Sequence, residues 1–164
     1  MSVIFKEKQS FRRWWFWLFM IPLGILPLIG IYRQFIKGEP WGDDPMSDLV
    51  LILFSIFIYA VLFLFYNLKL TTVINQYGIF IRFFPFRRRK IQWDRVKEAE
   101  IIPYKFLGGW GIRLFTKYGT AYNVNGNKGL HLIFKNDKQI LIGTQREDKL
   151  EEVIEKYREV YNFD

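Results

Sequence analysis

The chain has 164 residues, a formal charge of +8 and no cysteine, and it is 51% hydrophobic and 20% aromatic. Without cysteine it has neither a disulfide framework nor a thiolate metal site, and cysteine usage says nothing of the redox compartment. Apolar residues are concentrated in the first 68 positions, whereas residues 69–164 carry 18 Lys/Arg against 11 Asp/Glu, so the two parts suit different solvents.

Lys6, Lys8, Arg12 and Arg13 form a basic N-terminal tail that leads into 19 uncharged residues, Trp14 to Tyr32. That length matches the ~20 residues a helix needs to cross about 30 Å of hydrocarbon, and the stretch predicts a first transmembrane helix over 14–32. Pro22 and Pro27 lie inside it and are kink sites that a neighbouring helix tolerates. No small-x-small cleavage pattern follows, which argues for a retained anchor over a signal peptide. Trp14, Trp15 and Trp17 have the composition of an interfacial belt, with Tyr32 and Tyr66 at the other expected boundaries. A second uncharged run of 20 residues, Leu49 to Leu68, predicts a second transmembrane helix over 49–68. Neither span contains Asp, Glu, Lys, Arg or His, so no ion relay or substrate path is suggested, and no GxxxG pairing motif is present.

The loop from Arg33 to Asp48 has two basic residues against Glu39, Asp43, Asp44 and Asp48, while basic residues flank the spans on their other sides. The positive-inside rule then predicts a multi-pass protein of the plasma (inner) membrane with both termini cytoplasmic. Residues 1–68 are read as the tail and two-helix hairpin, and residues 69–164 as a cytoplasmic domain.

From Lys69 the pattern changes to short β-rich runs separated by turn residues: KLTTVI, IFIRFF, KIQWDRVKEAEII, GIRLFTK, TAYNVN, LHLIFKN and QILIGT. About seven antiparallel strands are expected. Leu150, Val153, Ile154, Tyr157, Val160 and Tyr161 then recur at helical spacing, and Thr144 with Glu147 has the spacing of a capping box. The predicted fold is a membrane-spanning α-helical hairpin followed by a mainly-β barrel or sandwich closed by one C-terminal helix.

Tyr77-Gly78-Ile79, the basic hairpin Phe86 to Lys90 leading into Ile91, Trp93 and Val96, the stretch Gly108-Gly109-Trp110-Gly111-Ile112-Arg113, and Ile142-Gly143-Thr144-Gln145-Arg146 carry a resemblance to the bacterial pleckstrin-homology-like domains of small membrane proteins. The resemblance covers about ninety residues from Lys69 on and the preceding anchors, and it implies a non-catalytic recognition module of that fold. The Lys-x-Arg arrangement with which eukaryotic relatives hold inositol phosphates is missing; the nearest strands offer Lys69 and Arg82.

The leading candidate surface is Phe84, Phe86, Arg87, Arg88, Arg89 and Lys90. Residues 70–76 leave the membrane side as a strand of about 20 Å and residues 79–84 return over a similar distance, which would turn this hairpin tip back toward the bilayer. There the two phenylalanines would enter the headgroup region and the cations would meet anionic lipid headgroups, each contributing about 1 kcal/mol. A solvated turn whose charges protect a sheet edge fits the same residues. Arg113 and Lys128, beside glycine-rich stretches suited to anion nests, are secondary candidates for polar recognition. A nucleic-acid partner is not expected, because the cluster is short and has no RNA-binding signature.

Catalysis is not expected. The single histidine, His131, alternates with Leu130 and Leu132 on a predicted strand, and every serine lies in the first 55 residues. Glu98 and Glu100 share one strand face near Arg95 and Lys97, and nothing has metal-ligand spacing, so neither metal nor cofactor is expected. The alternative role is that of an accessory subunit of a larger membrane complex, docking a protein partner by β-augmentation at an open sheet edge.

Overall fold

The computed structural model describes residues 3–11, 14–42, 44–104 and 111–163. The chain divides into two compact units: Phe11–Asn67, and a second unit that joins the N-terminal residues through Ser10 to Leu68 and everything after it. Arg12, Arg13 and Asp43, which entered the orientation argument, lie outside the described residues, as do Gly108, Gly109 and Trp110.

The first unit is a helical hairpin of α1 (Trp14–Ile31) and α2 (Asp48–Asn67). Helix α1 runs on through Pro22 and Pro27 and continues as a π-helical segment, Tyr32–Lys37, past the expected end at Tyr32; Gly38 stops it at a left-handed φ of 68°. Two glycines let the helices approach. A Cβ on Gly30 would stand 2.7 Å from the Trp41 ring, and one on Gly24 would stand 2.9 Å from Leu62. Tyr59 OH donates to the Gly24 carbonyl (2.9 Å), and Gln34 Nε2 donates to the Asp48 carboxylate (2.6 Å) and the Met46 carbonyl (2.9 Å), closing the connection. Near the opposite end Phe16 meets Phe65 at 5.1 Å and Trp17 meets Tyr66 at 6.1 Å. Both helices are long and apolar enough to cross a membrane, and only 17% of the apolar stretch of each is buried. Phe63, for instance, is 71% exposed. A core helix of a globular fold hides one apolar stripe and offers polar residues elsewhere, whereas these are apolar all round.

The second unit contains two sheets. The first has the order β1 (Val3–Ser10), β2 (Lys69–Asn75), β3 (Gly78–Phe84) and β4 (Arg87–Ile91), all antiparallel. The second is formed by β5 (Val96–Pro103), β6 (Gly111–Thr116), β7 (Gly119–Asn123), β8 (Lys128–Phe134) and β9 (Gln139–Thr144), in the order β5-β8-β9-β7-β6. Helix α3 (Glu147–Tyr161) follows.

Three features differ from the sequence expectation. Residues 3–10, read as a tail, are a strand: β1 pairs with β2 from Val3↔Asn75 to Ser10↔Lys69, so the helical hairpin is an insertion between two neighbouring strands. The run KIQWDRVKEAEII breaks into β4 and β5 at a 3-10 turn, Trp93–Arg95, giving eight strands after Lys69 where about seven were expected. Strands β7 and β9 pair in parallel, an exception to the expected antiparallel set.

The break at Trp93 has a packing cause. Its indole donates to the Asn75 carbonyl (3.0 Å) and stacks on Tyr157 (4.5 Å) and Phe163 (5.7 Å), tying α3 and the chain beyond it to the β2–β3 turn. Gly78 completes that turn with φ 135°, and a Cβ there would meet the Ile91 carbonyl oxygen at 2.0 Å, so no other residue fits. Helix α3 buries Leu150, Val153, Ile154 and Tyr157, while Val160, also assigned to the apolar face, is exposed. Burial pushes the Tyr157 phenol above the ordinary tyrosine value, with the nearby Tyr161 adding to the shift.

The expected capping box does not form. Thr144 Oγ1 instead donates to the Glu7 carboxylate (2.6 Å) and accepts from the Arg146 N–H (3.1 Å). Glu7 is 6% exposed and also accepts from the Gln145 N–H (2.8 Å) and Gln9 Nε2 (2.9 Å), while the same Gln9 nitrogen donates to the Gly143 carbonyl (2.7 Å). A polar row on the inward face of β1 thus bolts it to the end of β9.

Two outcomes follow. Glu7→Ala leaves the Gln145 N–H and the Thr144 hydroxyl without their acceptor and should cost about 3 kcal/mol in denaturant unfolding of the full chain in neutral detergent, whereas Glu7→Gln should cost less. Replacing residues 11–68 by Asn-Gly should give a soluble, cooperatively folding domain, because Ser10 and Lys69 are already a cross-strand pair that a two-residue turn can close. A chain beginning at Lys69 should fail to fold cooperatively, since it lacks β1.

Candidate functional site

The register of the first sheet sorts its side chains cleanly. Phe5, Glu7 and Gln9 of β1, Leu70, Thr72 and Ile74 of β2, and Ile79, Ile81 and Phe83 of β3 are buried on one face. The opposite face carries Lys6, Lys8, Lys69, Arg82, Arg88 and Lys90, with Thr71, Val73, Phe80 and Phe84 between them and no acidic side chain. Two cross-strand rows hold most of this charge: Lys8, Thr71, Arg82 and Arg88 in one, and Lys6, Val73, Phe80 and Lys90 in the next. Lys90 Nζ sits 5.4 Å from the Phe80 ring and the Arg82 guanidinium 5.3 Å from the Phe84 ring, so aromatic faces partly screen the cations.

Period-two alternation therefore divides the four-residue basic run. Arg88 and Lys90 belong to the outer face, while Arg87 and Arg89 share the side of Ile91, and Arg89 is half-buried over the Phe134 ring at 5.7 Å. At the turn, Phe86 is 62% exposed and stacks at 6.4 Å on the buried Phe83, and Phe84 is 39% exposed. Ser10, Lys69 and Phe84 form one row across β1, β2 and β3. The turn residues Pro85 and Phe86 thus lie at the end of the sheet from which the chain leaves toward α1 and at which it returns from α2.

No protein-family model matches this chain, and neither a curated protein nor a solved structure matches it.

The secondary candidates do not join this surface or each other. Arg113 on β6 and Lys128 on β8 are separated by β7 and β9, about 14 Å across the sheet. Lys128 is engaged by Glu147 at 2.7 Å, and that hydrogen bond holds its ammonium above the ordinary lysine value. Arg113 is half-buried, and its Nε has no hydrogen-bond partner among the described residues. His131 is half-buried, with Nε2 3.1 Å from Gln139 Oε1 and its ring edge-on to Tyr118 at 5.3 Å. No group of three or more metal-ligating side chains occurs among the described residues.

Lys6, Lys8, Lys69 and Arg82 were outside the predicted site. The signal was available in the alternation of β1, where Ile4, Lys6 and Lys8 fall on one parity. What concealed it is the other parity, because Phe5, Glu7 and Gln9 place two polar side chains on the buried face.

Arg82 and Arg88 stand directly opposite each other, and like charges in cross-strand positions repel. Arg88→Thr should raise the thermal midpoint in neutral detergent, by the equivalent of about 0.5 kcal/mol, and should flatten the gain in stability on adding NaCl. An unchanged salt dependence would show that this pair is already screened by solvent.

Proposed function

We propose that this chain is a bacterial integral membrane protein with both termini cytoplasmic, whose pleckstrin-homology-like domain is a non-catalytic binding module that meets anionic lipid headgroups through the β3–β4 hairpin. The observation that carries this reading is the row Ser10, Lys69, Phe84. Paired Cα atoms are about 5 Å apart and two peptide links span at most about 8 Å, so Phe84 is tethered within about 13 Å of the last residue of α2. That chain connection to an apolar hairpin supports contact of Phe84, Phe86 and their flanking cations with headgroups.

Topology supports the same side for both flanks. Strands β1 and β2 exchange backbone hydrogen bonds, and strands cannot pair across a bilayer, so the segment between them crosses an even number of times. The side is assigned by charge: Lys6 and Lys8 precede α1 and Lys69 follows α2 in the chain, against Arg33 and Lys37 in the connection. The two sheets with a C-terminal helix are compatible with the pleckstrin-homology-like resemblance.

The chain has no cysteine, so Phe86→Cys gives a single labelling site for an environment-sensitive fluorophore. In nanodiscs of phosphatidylcholine with phosphatidylglycerol, the label on the full chain should be quenched by lipids spin-labelled near the headgroup. Quenching should fall several-fold in pure phosphatidylcholine, in high salt, and when Arg87, Arg88 and Lys90 are all replaced by Gln. Equal exposure of the label to an aqueous quencher in both lipid mixtures would overturn the lipid-facing hairpin and favour docking of a protein partner.

A further inference from the structure

A second concentration of positive charge lies where no single stretch of sequence could show it. A cleft of about 470 Å³ opens between β4, the 3-10 turn and the β8–β9 turn, and its charged lining is Arg89, Lys90, Arg95, Lys135 and Lys138 against Asp94 alone. The volume is that of a site for a small molecule. The cations come from three segments, and the backbone fixes those segments to one another. The Lys135 N–H donates to the Arg95 carbonyl (3.0 Å), and the β8–β9 turn is closed by the Phe134 N–H to the Lys138 carbonyl (2.9 Å) and the Asp137 N–H to the Phe134 carbonyl (2.8 Å). Phe134 in turn underlies the Arg89 guanidinium.

None of the five cations is in an ion pair among the described residues. The nearby Asp137 carboxylate turns to Lys97 at 3.8 Å, outside the lining of the cleft. The Lys90 ammonium lies over Phe80 on the outer face of β4, which leaves four like charges, Arg89, Arg95, Lys135 and Lys138, around one concavity; they repel, and the arrangement is relieved by an anion with several oxygens, for which arginine offers two parallel N–H groups and lysine a compact charge.

We propose that this cleft is a binding site for a phosphorylated anion carrying at least two phosphate groups, supplied from solution. The β3–β4 register runs from Phe83↔Arg87 at the turn to Ile79↔Ile91, so the far end of β4 is about 17 Å along the sheet from the row that holds the anchor junctions; Arg95 follows that end in the chain, and the Lys135 N–H is bonded to the Arg95 carbonyl. A lipid phosphate held at the bilayer surface reaches the turn first. Arg95, Lys135 and Lys138 take no part in the hairpin, so these three test the site separately from the lipid-facing reading, which shares Arg89 and Lys90 with it.

The test uses the full chain in phosphatidylcholine nanodiscs, titrated with inorganic tripolyphosphate by calorimetry. Saturable binding with one ion per chain is expected, accompanied by a higher thermal midpoint. The double variant Arg95→Gln, Lys135→Gln should lose at least tenfold in affinity while retaining the lipid-dependent quenching of the label at position 86. The single variant Lys138→Gln, which leaves the turn's backbone bonds in place, should lose less and serves where the double variant melts early. Binding that fails to saturate, or that both variants retain in full, would overturn the site. Displacement of tripolyphosphate by phosphatidylglycerol in the nanodisc would overturn the soluble source by showing that lipid headgroups occupy the same cations.

Discussion

The pairing of β1 with β2 is the constraint on which the rest of the molecule depends. Ser10 and Lys69 are cross-strand neighbours although 58 residues separate them, so the chain between must return to the place it left. An antiparallel helical hairpin meets that requirement and one long helix does not. The tight β-turn that would ordinarily join such strands has in effect been replaced by α1 and α2. The insertion also explains why Gly24, Gly30 and the Gln34–Asp48 contact matter beyond the helices themselves, since they hold together a segment whose two ends are both committed to one sheet.

The inward face of β1 shows how the insertion is made secure. A strand joined to its neighbour through 58 residues gains little from local connectivity, and the loop-closure cost rises with the length to be closed. Glu7 and Gln9 supply directional bonds to Gly143, Thr144 and Gln145, which apolar side chains would not. A buried carboxylate holding two backbone or hydroxyl donors is costly to misplace, so these bonds select the register as much as they stabilise it. The same residues diverted Thr144 from capping α3, and Glu147, freed from the box, pairs with Lys128. One unexpected strand thus accounts for the missing cap and for the loss of a candidate recognition lysine.

Much of the architecture was legible because its signals are local. Uninterrupted apolar runs identify α1 and α2, Gly78 and the two-residue turns punctuate the strands, and Leu150, Val153, Ile154 and Tyr157 mark α3. What was not legible depends on partners far away in sequence. The strand character of residues 3–10 is hidden by charge on both faces, and the break at Trp93 exists because its indole is stacked with Tyr157 and Phe163 from the far end of the chain. The parallel contact between β7 and β9 is likewise decided by sheet order rather than by either strand's composition. For the candidate surface, the turn was visible in Phe84 to Lys90, but the outer face to which half of it belongs required knowledge of which strands flank it.

The distribution of charge follows from these placements and bears on what the domain can meet. Outward side chains of the first sheet are basic or neutral, while Glu98 and Glu100 of β5 and Glu151 and Glu155 of α3 line a groove shared with His131 and Arg158. Positive charge of the outward strand faces is therefore concentrated at β1 to β4. Within that half, the alternation of β4 separates functions that composition would merge. Arg88 and Lys90 extend a flat face shared with Lys6, Lys8 and Arg82, suited to many weak contacts with a charged plane, whereas Arg89, fixed over Phe134, faces a concavity completed by the 3-10 turn, Phe134 of β8 and the β8–β9 turn. A plane and a cleft select differently among anions: the first responds to surface charge density and the second to size and number of oxygens. Because Arg89 and Arg88 are adjacent in the backbone yet fall on opposite faces of β4, the proposed cleft and the proposed lipid-facing surface would share a strand without sharing these two side chains.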